Sequence, residues 1–161
     1  MTARTQWVLL AYRIPREPST PRIAVWRRLK RLGVAQLGDG LVALPLDART
    51  REQLEWFADE IRQAEGEAML WLAQPASAAQ ERSLVKQLAA ARAAEYRLVV
   101  SEAESLTTAS RRTIQRLRRE LRRINRRDYF PPPERTGAKA AVEALAARAQ
   151  QVAEDREVSR P

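Results

Sequence analysis

Nine arginines occupy the seventeen residues from Arg111 to Arg127, and Glu120 is the single acid among them. Nine positive charges against one negative give this segment a formal charge of +8, out of +9 for the whole chain. A guanidinium can pair with phosphate through two parallel hydrogen bonds, and it is more weakly hydrated than an ammonium group. The segment therefore favours phosphate binding, and we expect a nucleic acid as its partner.

A helical arrangement would separate the arginines from the apolar residues of this segment. At about 100° per residue, Ile114, Leu117, Leu121 and Ile124 share a narrow stripe, and the arginines fan over the opposite side. A helix docked by that stripe would present a nearly pure guanidinium surface. Two alternatives stay open: a solvated or internally salt-bridged face, and a membrane-surface contact. The arginines that we assign to nucleic acid here are Arg112, Arg116, Arg119, Arg123, Arg126 and Arg127.

A second basic group lies near the N-terminus. Pro15, Pro18 and Pro21 recur every third residue and favour a stiff, extended loop, which carries arginines and leads into a basic helix. Such a loop and helix N-terminus suit phosphate, and equally a small oxyanion such as sulfate. The alternative is a solvated face paired with acids of the chain. The residues that we assign to nucleic acid are Arg16, Arg22, Arg27, Arg28 and Arg31, with Arg13 nearby.

Several classes of function lack the residues that they need. The chain has no histidine and no cysteine, so the commonest general base, metal ligand and thiol nucleophile are missing. Glu52, Glu55 and Asp59 share a helical side, but no second acidic group completes a metal cage. We therefore expect no catalytic residues, no metal, no cofactor and no enzymatic activity. No apolar run is long enough to span a membrane, and no cleavable leader is visible, so we expect a cytoplasmic protein.

The hydrophobic patterns predict a mixed domain followed by helices. Strands at 6–11, 34–37, 41–44 and 68–73, with helices at 21–32 and about 47–65, give the order β-α-β-β-α-β, typical of a ferredoxin-like α+β domain. Trp7, Trp26 and Trp71 lie among apolar neighbours, so we expect them in its core. We place this domain at residues 1–75 and a helical extension of about three helices at 76–161, with the arginine-rich helix at 106–128.

The chain resembles the N-terminal domain of the ChrB family, regulatory proteins of chromate-resistance operons. The similarity lies in WVLLAYRIPREPSTPRIAVWRRLKRLG, the hairpin GDGLVALP, the helix TREQLEWFADEI, the strand GEAMLWLAQ and the late segment RRINRRDYFPPPER. The resemblance implies a ferredoxin-like fold and a role in DNA-linked regulation of chromate efflux, with chromate as a possible effector. Family members carry a second domain, so we expect this chain to be a stand-alone N-terminal module or part of a longer gene.

Together these features predict a DNA-binding regulator that resembles ChrB and contacts phosphates through its arginine-rich helices. No helix-turn-helix is evident, and only Gln115 and Asn125 could read bases near the arginines. The alternative is a protein interaction module, or an oxyanion-sensing domain, that does not touch DNA. A homodimer formed through sheet edges is a further expectation.

Overall fold

A computed structural model describes residues 5–159, where four strands and five helices follow one another. The strands are β1 (Trp7–Arg13), β2 (Ala35–Gly38), β3 (Leu41–Pro45) and β4 (Glu67–Ala73). The helices are α1 (Ser19–Leu32), α2 (Ala48–Gln63), α3 (Ala78–Ser105), α4 (Arg111–Asn125) and α5 (Glu134–Val158). The predicted mixed α+β class is therefore confirmed, with helices after the last strand.

The described residues form two compact units that divide between Leu88 and Ala89, within α3. The first unit contains the sheet, α1 and α2, and the second contains α4 and α5. Compactness does not by itself show independent folding, so the domain limit after residue 75 stays a prediction. No helix among residues 5–159 is both long enough and apolar enough to cross a membrane.

The sheet of the first unit is antiparallel throughout, with the strand order β2-β3-β1-β4. β1 lies between β3 and β4. Its residues alternate between the two faces of the sheet, and both faces are covered by protein at this strand. Trp7 on one face and Val8 and Leu10 on the other are almost fully buried. α2 packs against β1 and β4. β4 pairs with β1 alone, so it is an edge of the sheet.

The prediction that three tryptophans pack in the core is right for Trp7 and wrong for the other two. Trp7 is 1% exposed, whereas Trp26 is 43% and Trp71 is 55% exposed. α1 buries Val25 and Leu29, and Trp26 lies about 100° round the helix from Val25, beyond that stripe. Trp71 lies on the edge strand, where one side has no neighbouring strand.

The ends of α1 and α2 refine the sequence predictions. α1 begins at Ser19, two residues before the predicted start, with Pro18 as its N-cap and no side-chain cap. α2 begins after Asp47, whose side chain accepts a hydrogen bond from the Thr50 amide, while the Thr50 hydroxyl accepts one from the Asp47 amide. This reciprocal pair is a capping box.

The core of the second unit comes from three helices. Its buried side chains are Tyr96, Val99, Ala103, Leu117, Leu121, Ile124, Ala138, Val142 and Leu145. They recur at helical spacing on α3, α4 and α5, which joins one stripe from each helix. The second unit is therefore held together by apolar packing around the stripe of α4.

Candidate nucleic-acid interface

α4 begins at Arg111 because Ser110 caps it, accepting a hydrogen bond from the Thr113 amide. The helix ends at Asn125, so the predicted range of 106–128 is too long at both ends. All four residues of the predicted stripe are buried: Ile114, Leu117, Leu121 and Ile124. The predicted packing of α4 through its apolar stripe is therefore confirmed, and most of its arginines are exposed to solvent.

We call the solvent-exposed side of α4 the arginine face. At its edges, arginines form ion pairs with acids, mostly from neighbouring helices. Arg116 pairs with Glu102 of α3, and Arg118 donates to both carboxylate oxygens of Glu143 in α5 at 3.0 and 2.9 Å. Within α4, Arg123 pairs with Glu120. The prediction of a nearly pure guanidinium surface is therefore wrong at these edges. These hydrogen bonds raise the pKa of Arg116, Arg118 and Arg123, so all three stay charged.

Four arginines of α4 make no ion pair with any acid in the described part of the chain: Arg111, Arg112, Arg119 and Arg122. We call them the unpaired row. Arg112 and Arg119 are seven residues apart, which places them about 10 Å apart along the helix axis. All four are exposed. Exposed guanidiniums at this spacing can each reach a phosphate of one strand, because phosphates follow at about 3.4 Å along the duplex axis.

Arg126 and Arg127, the two predicted nucleic-acid contacts that follow α4, lie in different environments. Arg126 is exposed and makes an interaction within the chain. The side chain of Arg127 is only 12% exposed and lies 2.8 Å from Glu95 of α3. Arg127 is therefore part of the interior of the second unit, where it is poorly placed for a phosphate.

A buried polar cluster, which the sequence patterns did not predict, fixes the end of α4. The Tyr96 hydroxyl lies 2.6 Å from Asn125 Oδ1 and 2.8 Å from Asp128 Oδ2. The Asp128 side chain has no exposed surface, and Arg135 lies 3.8 Å away. Burial, followed by the hydrogen bond to Asp128, raises the pKa of Tyr96.

The cluster continues on α3 through a buried arginine. Arg92 is 7% exposed and lies 3.2 Å from Glu95, which also pairs with Arg127. Burial lowers the pKa of Arg92, and Glu95 opposes that effect. The sequence signal was the spacing of Arg92, Glu95 and Tyr96 at three and four residues, which places them on one helical side.

In the first unit, the arginines of α1 divide into paired and unpaired members. Arg28 pairs with Glu60 of α2, and its guanidinium lies 5.0 Å from the centre of the Phe57 ring. Arg28 thus holds α1 against α2. Arg27 and Arg31 are exposed and make no ion pair within residues 5–159.

The remaining predicted residues border a pocket of about 500 Å³, which we call the basic pocket. It is lined by Tyr12, Arg13, Ile14, Arg16, Arg22, Ile23, Trp26, Gln36, Asp39 and Gly40. Arg13 comes from the end of β1, Arg16 from the proline-rich loop and Arg22 from the first turn of α1. The structure therefore brings Arg16 and Arg22 together, apart from Arg27 and Arg31 on the rest of α1.

Two further expectations concern metals and dimers. Among the residues that the structure describes, no group of three or more acidic, histidine or cysteine side chains could hold a metal ion. Met69, Trp71 and Leu72 of the edge strand β4 are each 55% exposed. A homodimer through this edge stays a prediction.

The sequence is similar to one known protein family in particular. The family described as "Protein ChrB, N-terminal" matches residues 22–112, which is more than half of the chain. The chain belongs to the ChrB N-terminal family. The matched range extends from the first turn of α1 to the first residues of α4, so it includes Arg22, Arg27, Arg28, Arg31 and Arg112.

A curated ChrB relative supports the same assignment. Protein ChrB of Cupriavidus metallidurans (strain CH34) is 34% identical over 77 residues, which are 48% of this chain and 24% of that protein. The similarity thus spans about a quarter of the relative's length. No solved structure matches the chain.

Proposed function

We propose that this ChrB-family chain is a non-enzymatic, DNA-contacting regulator linked to chromate resistance, and that it holds phosphates through arginines. Membership of the ChrB N-terminal family supports the link to chromate resistance. The observation that carries DNA contact is the unpaired row of α4, because the arginines beside it already have acidic partners. The role implies a cytoplasmic location.

Repulsion between like charges explains why the unpaired row favours a polyanion. Exposed guanidiniums repel one another, and this repulsion is relieved when each of them meets a phosphate and displaces condensed counterions. Arg27 and Arg31 on α1 have the same character in the first unit. Contacts of this kind position a protein on DNA without reading its sequence.

We also propose that the first unit belongs to the ferredoxin-like class. Its β-α-β-β-α-β order supports this, because each helix connects two strands that are separated in the sheet by one other strand. β3 lies between β1 and β2, and β1 lies between β3 and β4.

A charge-matched pair of variants tests DNA contact. In the first, Arg112→Gln, Arg119→Gln and Arg122→Gln remove three charges from the unpaired row. In the second, Arg116→Gln, Arg118→Gln and Arg123→Gln remove three charges that already have partners. Fluorescence anisotropy would follow binding to a duplex from the gene's upstream region and to a random duplex, at several salt concentrations and with or without chromate.

We expect the first variant to bind more weakly, with a log–log salt slope shallower by about 0.9 for each phosphate that it no longer neutralises. The second variant should keep a slope close to that of the parent chain. Absence of binding to either duplex at low salt would refute DNA contact. Equal weakening by both variants would show that net charge, and not the unpaired row, is responsible.

A protein interaction module is the second candidate, and the paired edges of α4 favour it. Glu102 and Glu143 of the neighbouring helices already pair with Arg116 and Arg118 of α4, as expected for a helix that serves to hold its own unit together. Under this proposal the first variant should bind an acidic protein partner less tightly than the parent chain does. Its binding to duplex DNA should equal that of the parent chain.

A further inference from the structure

The basic pocket has the size of a small-molecule site. Its volume of about 500 Å³ falls within the range of about 300–1,000 Å³ that is usual for ligand pockets. A bare tetrahedral oxyanion would fill only a small part of it. The lining residues should therefore recognise something larger than a phosphate group.

Three of the lining residues supply positive charge. Arg13, Arg16 and Arg22 make no ion pair with an acid anywhere in residues 5–159. They come from three different segments, and Pro15, Pro18 and Pro21 stiffen the loop that connects them. Three unpaired guanidiniums at one pocket suit a phosphate group, which can accept hydrogen bonds from several donors.

The lining also includes large apolar and aromatic side chains. Trp26 and Ile23 of α1 are each 43% exposed, although both are large hydrophobic residues. The Lys30 ammonium lies 4.5 Å from the centre of the Trp26 ring and covers part of it, and 43% of the residue remains exposed. An exposed indole beside arginines is a typical platform for a nucleobase, since every base has an aromatic face.

The other polar lining residues can hydrogen-bond the edge of a base. Asp39 is the one acid that lines the pocket, and Gln36 and Tyr12 accompany it. A carboxylate repels a bare oxyanion but accepts hydrogen bonds from an exocyclic amino group, such as N4 of cytosine. Burial, and then the charge of Asp39, raises the pKa of Tyr12, so its hydroxyl stays protonated and can donate.

The backbone holds Asp39 in place through a tight turn. The Tyr12 amide donates to the Gly40 carbonyl at 2.7 Å. Gly40 has a φ of 70°, and a Cβ there would lie 2.3 Å from the Tyr12 carbonyl oxygen. Glycine is therefore required at this position.

We propose that the basic pocket binds a phosphorylated nucleoside, with its phosphate against Arg13, Arg16 and Arg22 and its base against Trp26. The ligand can be a free mononucleotide or an unpaired nucleotide of a strand, which share this chemistry. This site goes beyond duplex contact by α4 and does not depend on it.

Isothermal titration calorimetry on the full chain would compare cytidine 5′-monophosphate with inorganic phosphate at fixed ionic strength. Trp26→Leu should weaken the nucleotide about tenfold, since stacking contributes about 1–3 kcal/mol per base, and should leave inorganic phosphate unchanged. The double variant Arg16→Gln with Arg22→Gln should lower the affinity for both ligands by about tenfold or more. It removes two guanidiniums that would donate hydrogen bonds to the phosphate group.

Arg82→Gln with Lys86→Gln on α3 is the matched control, because it removes the same charge from exposed positions of the first unit that do not line the pocket. We expect it to keep nucleotide affinity within about twofold of the parent chain. Three results would overturn the proposal: no nucleotide binding, equal affinity for nucleotide and phosphate with no effect of Trp26→Leu, or a control as weak as the pocket variant. Circular dichroism would verify that each variant is folded.

Comparison of a short single strand with the mononucleotide separates the two sources of the nucleotide. A short single strand that binds more tightly than the mononucleotide, and loses that advantage in Trp26→Leu, identifies an unpaired nucleotide of a strand. A mononucleotide that binds at least as tightly as the strand identifies a free nucleotide. Loss of duplex binding in the α4 variant with normal nucleotide binding distinguishes the two sites.

Discussion

At the scale of single residues, the buried cluster around Tyr96 contributes most clearly to stability. The hydroxyl has one proton and two acceptors, Asn125 Oδ1 and Asp128 Oδ2, so it always has a partner. Asp128 in turn depends on this donor, because its side chain is fully buried and the nearest guanidinium, that of Arg135, is 3.8 Å away. The cluster fixes the chain just after α4 and so orients the arginine face.

Tyr96→Phe should lower the free energy of unfolding by about 1–3 kcal/mol, because it leaves a buried carboxylate without its hydroxyl donor. Urea denaturation followed by circular dichroism measures this change. A decrease below about 0.5 kcal/mol would mean that water or Arg135 replaces the hydroxyl fully.

The same tyrosine predicts how stability depends on alkaline pH. Its ordinary pKa is 10.0 and the folded state raises it, so the stabilisation is fully present below pH 10 and is lost as pH rises toward the folded pKa. Unfolding free energy should therefore fall above pH 10, by at most about 1.4 kcal/mol per pH unit for one proton. Tyr96→Phe should reduce this slope, and Tyr12, whose pKa is also raised, should contribute to the part that remains. Identical slopes in the two proteins would contradict the assignment.

At the scale of elements, the apolar stripe of α4 determines whether the arginine face exists at all. Leu117 is fully buried in the core of the second unit. Leu117→Ala should cost about 2–5 kcal/mol, because it removes buried methyl groups and leaves a cavity. Leu98→Ala on α3 is the control, since Leu98 is 71% exposed and its truncation should change stability by less than about 0.5 kcal/mol. Urea midpoints of both variants test this contrast, and similar midpoints would show that the stripe is not essential.

At the scale of the whole molecule, the net charge of +9 should raise the rate of association with DNA. This rate should depend on the total charge and not on where the arginines lie on the surface. Both triple glutamine variants of α4 lower that charge equally, so stopped-flow association rates should fall by similar factors and more strongly at low salt. Dissociation should accelerate only for Arg112→Gln, Arg119→Gln and Arg122→Gln, because, of the six arginines changed in the two variants, only these three lack acidic partners. Faster dissociation of both variants would mean that the paired arginines leave Glu102 and Glu143 to contact DNA.

The sequence by itself determined which surfaces are apolar and where charge is concentrated. The stripe of α4, the hairpin around Gly38 to Gly40 and the order of strands and helices follow from periodicity and turn residues, which act over a few neighbours. The start of α4 was less well predicted, because the Ser110 side chain accepts a hydrogen bond from the Thr113 amide and so begins the helix at Arg111, not at residue 106.

Only the tertiary structure decided which arginines are available. Glu102 and Glu143 are distant from α4 in sequence, yet packing of three helices places them beside Arg116 and Arg118 and leaves Arg112 and Arg119 unpaired. The tertiary structure also leaves Trp26 and Trp71 exposed, and it brings the three arginines of the basic pocket together from three segments. Periodicity shows the side of a helix or strand on which a residue lies, but its partners depend on contacts between elements far apart in the chain.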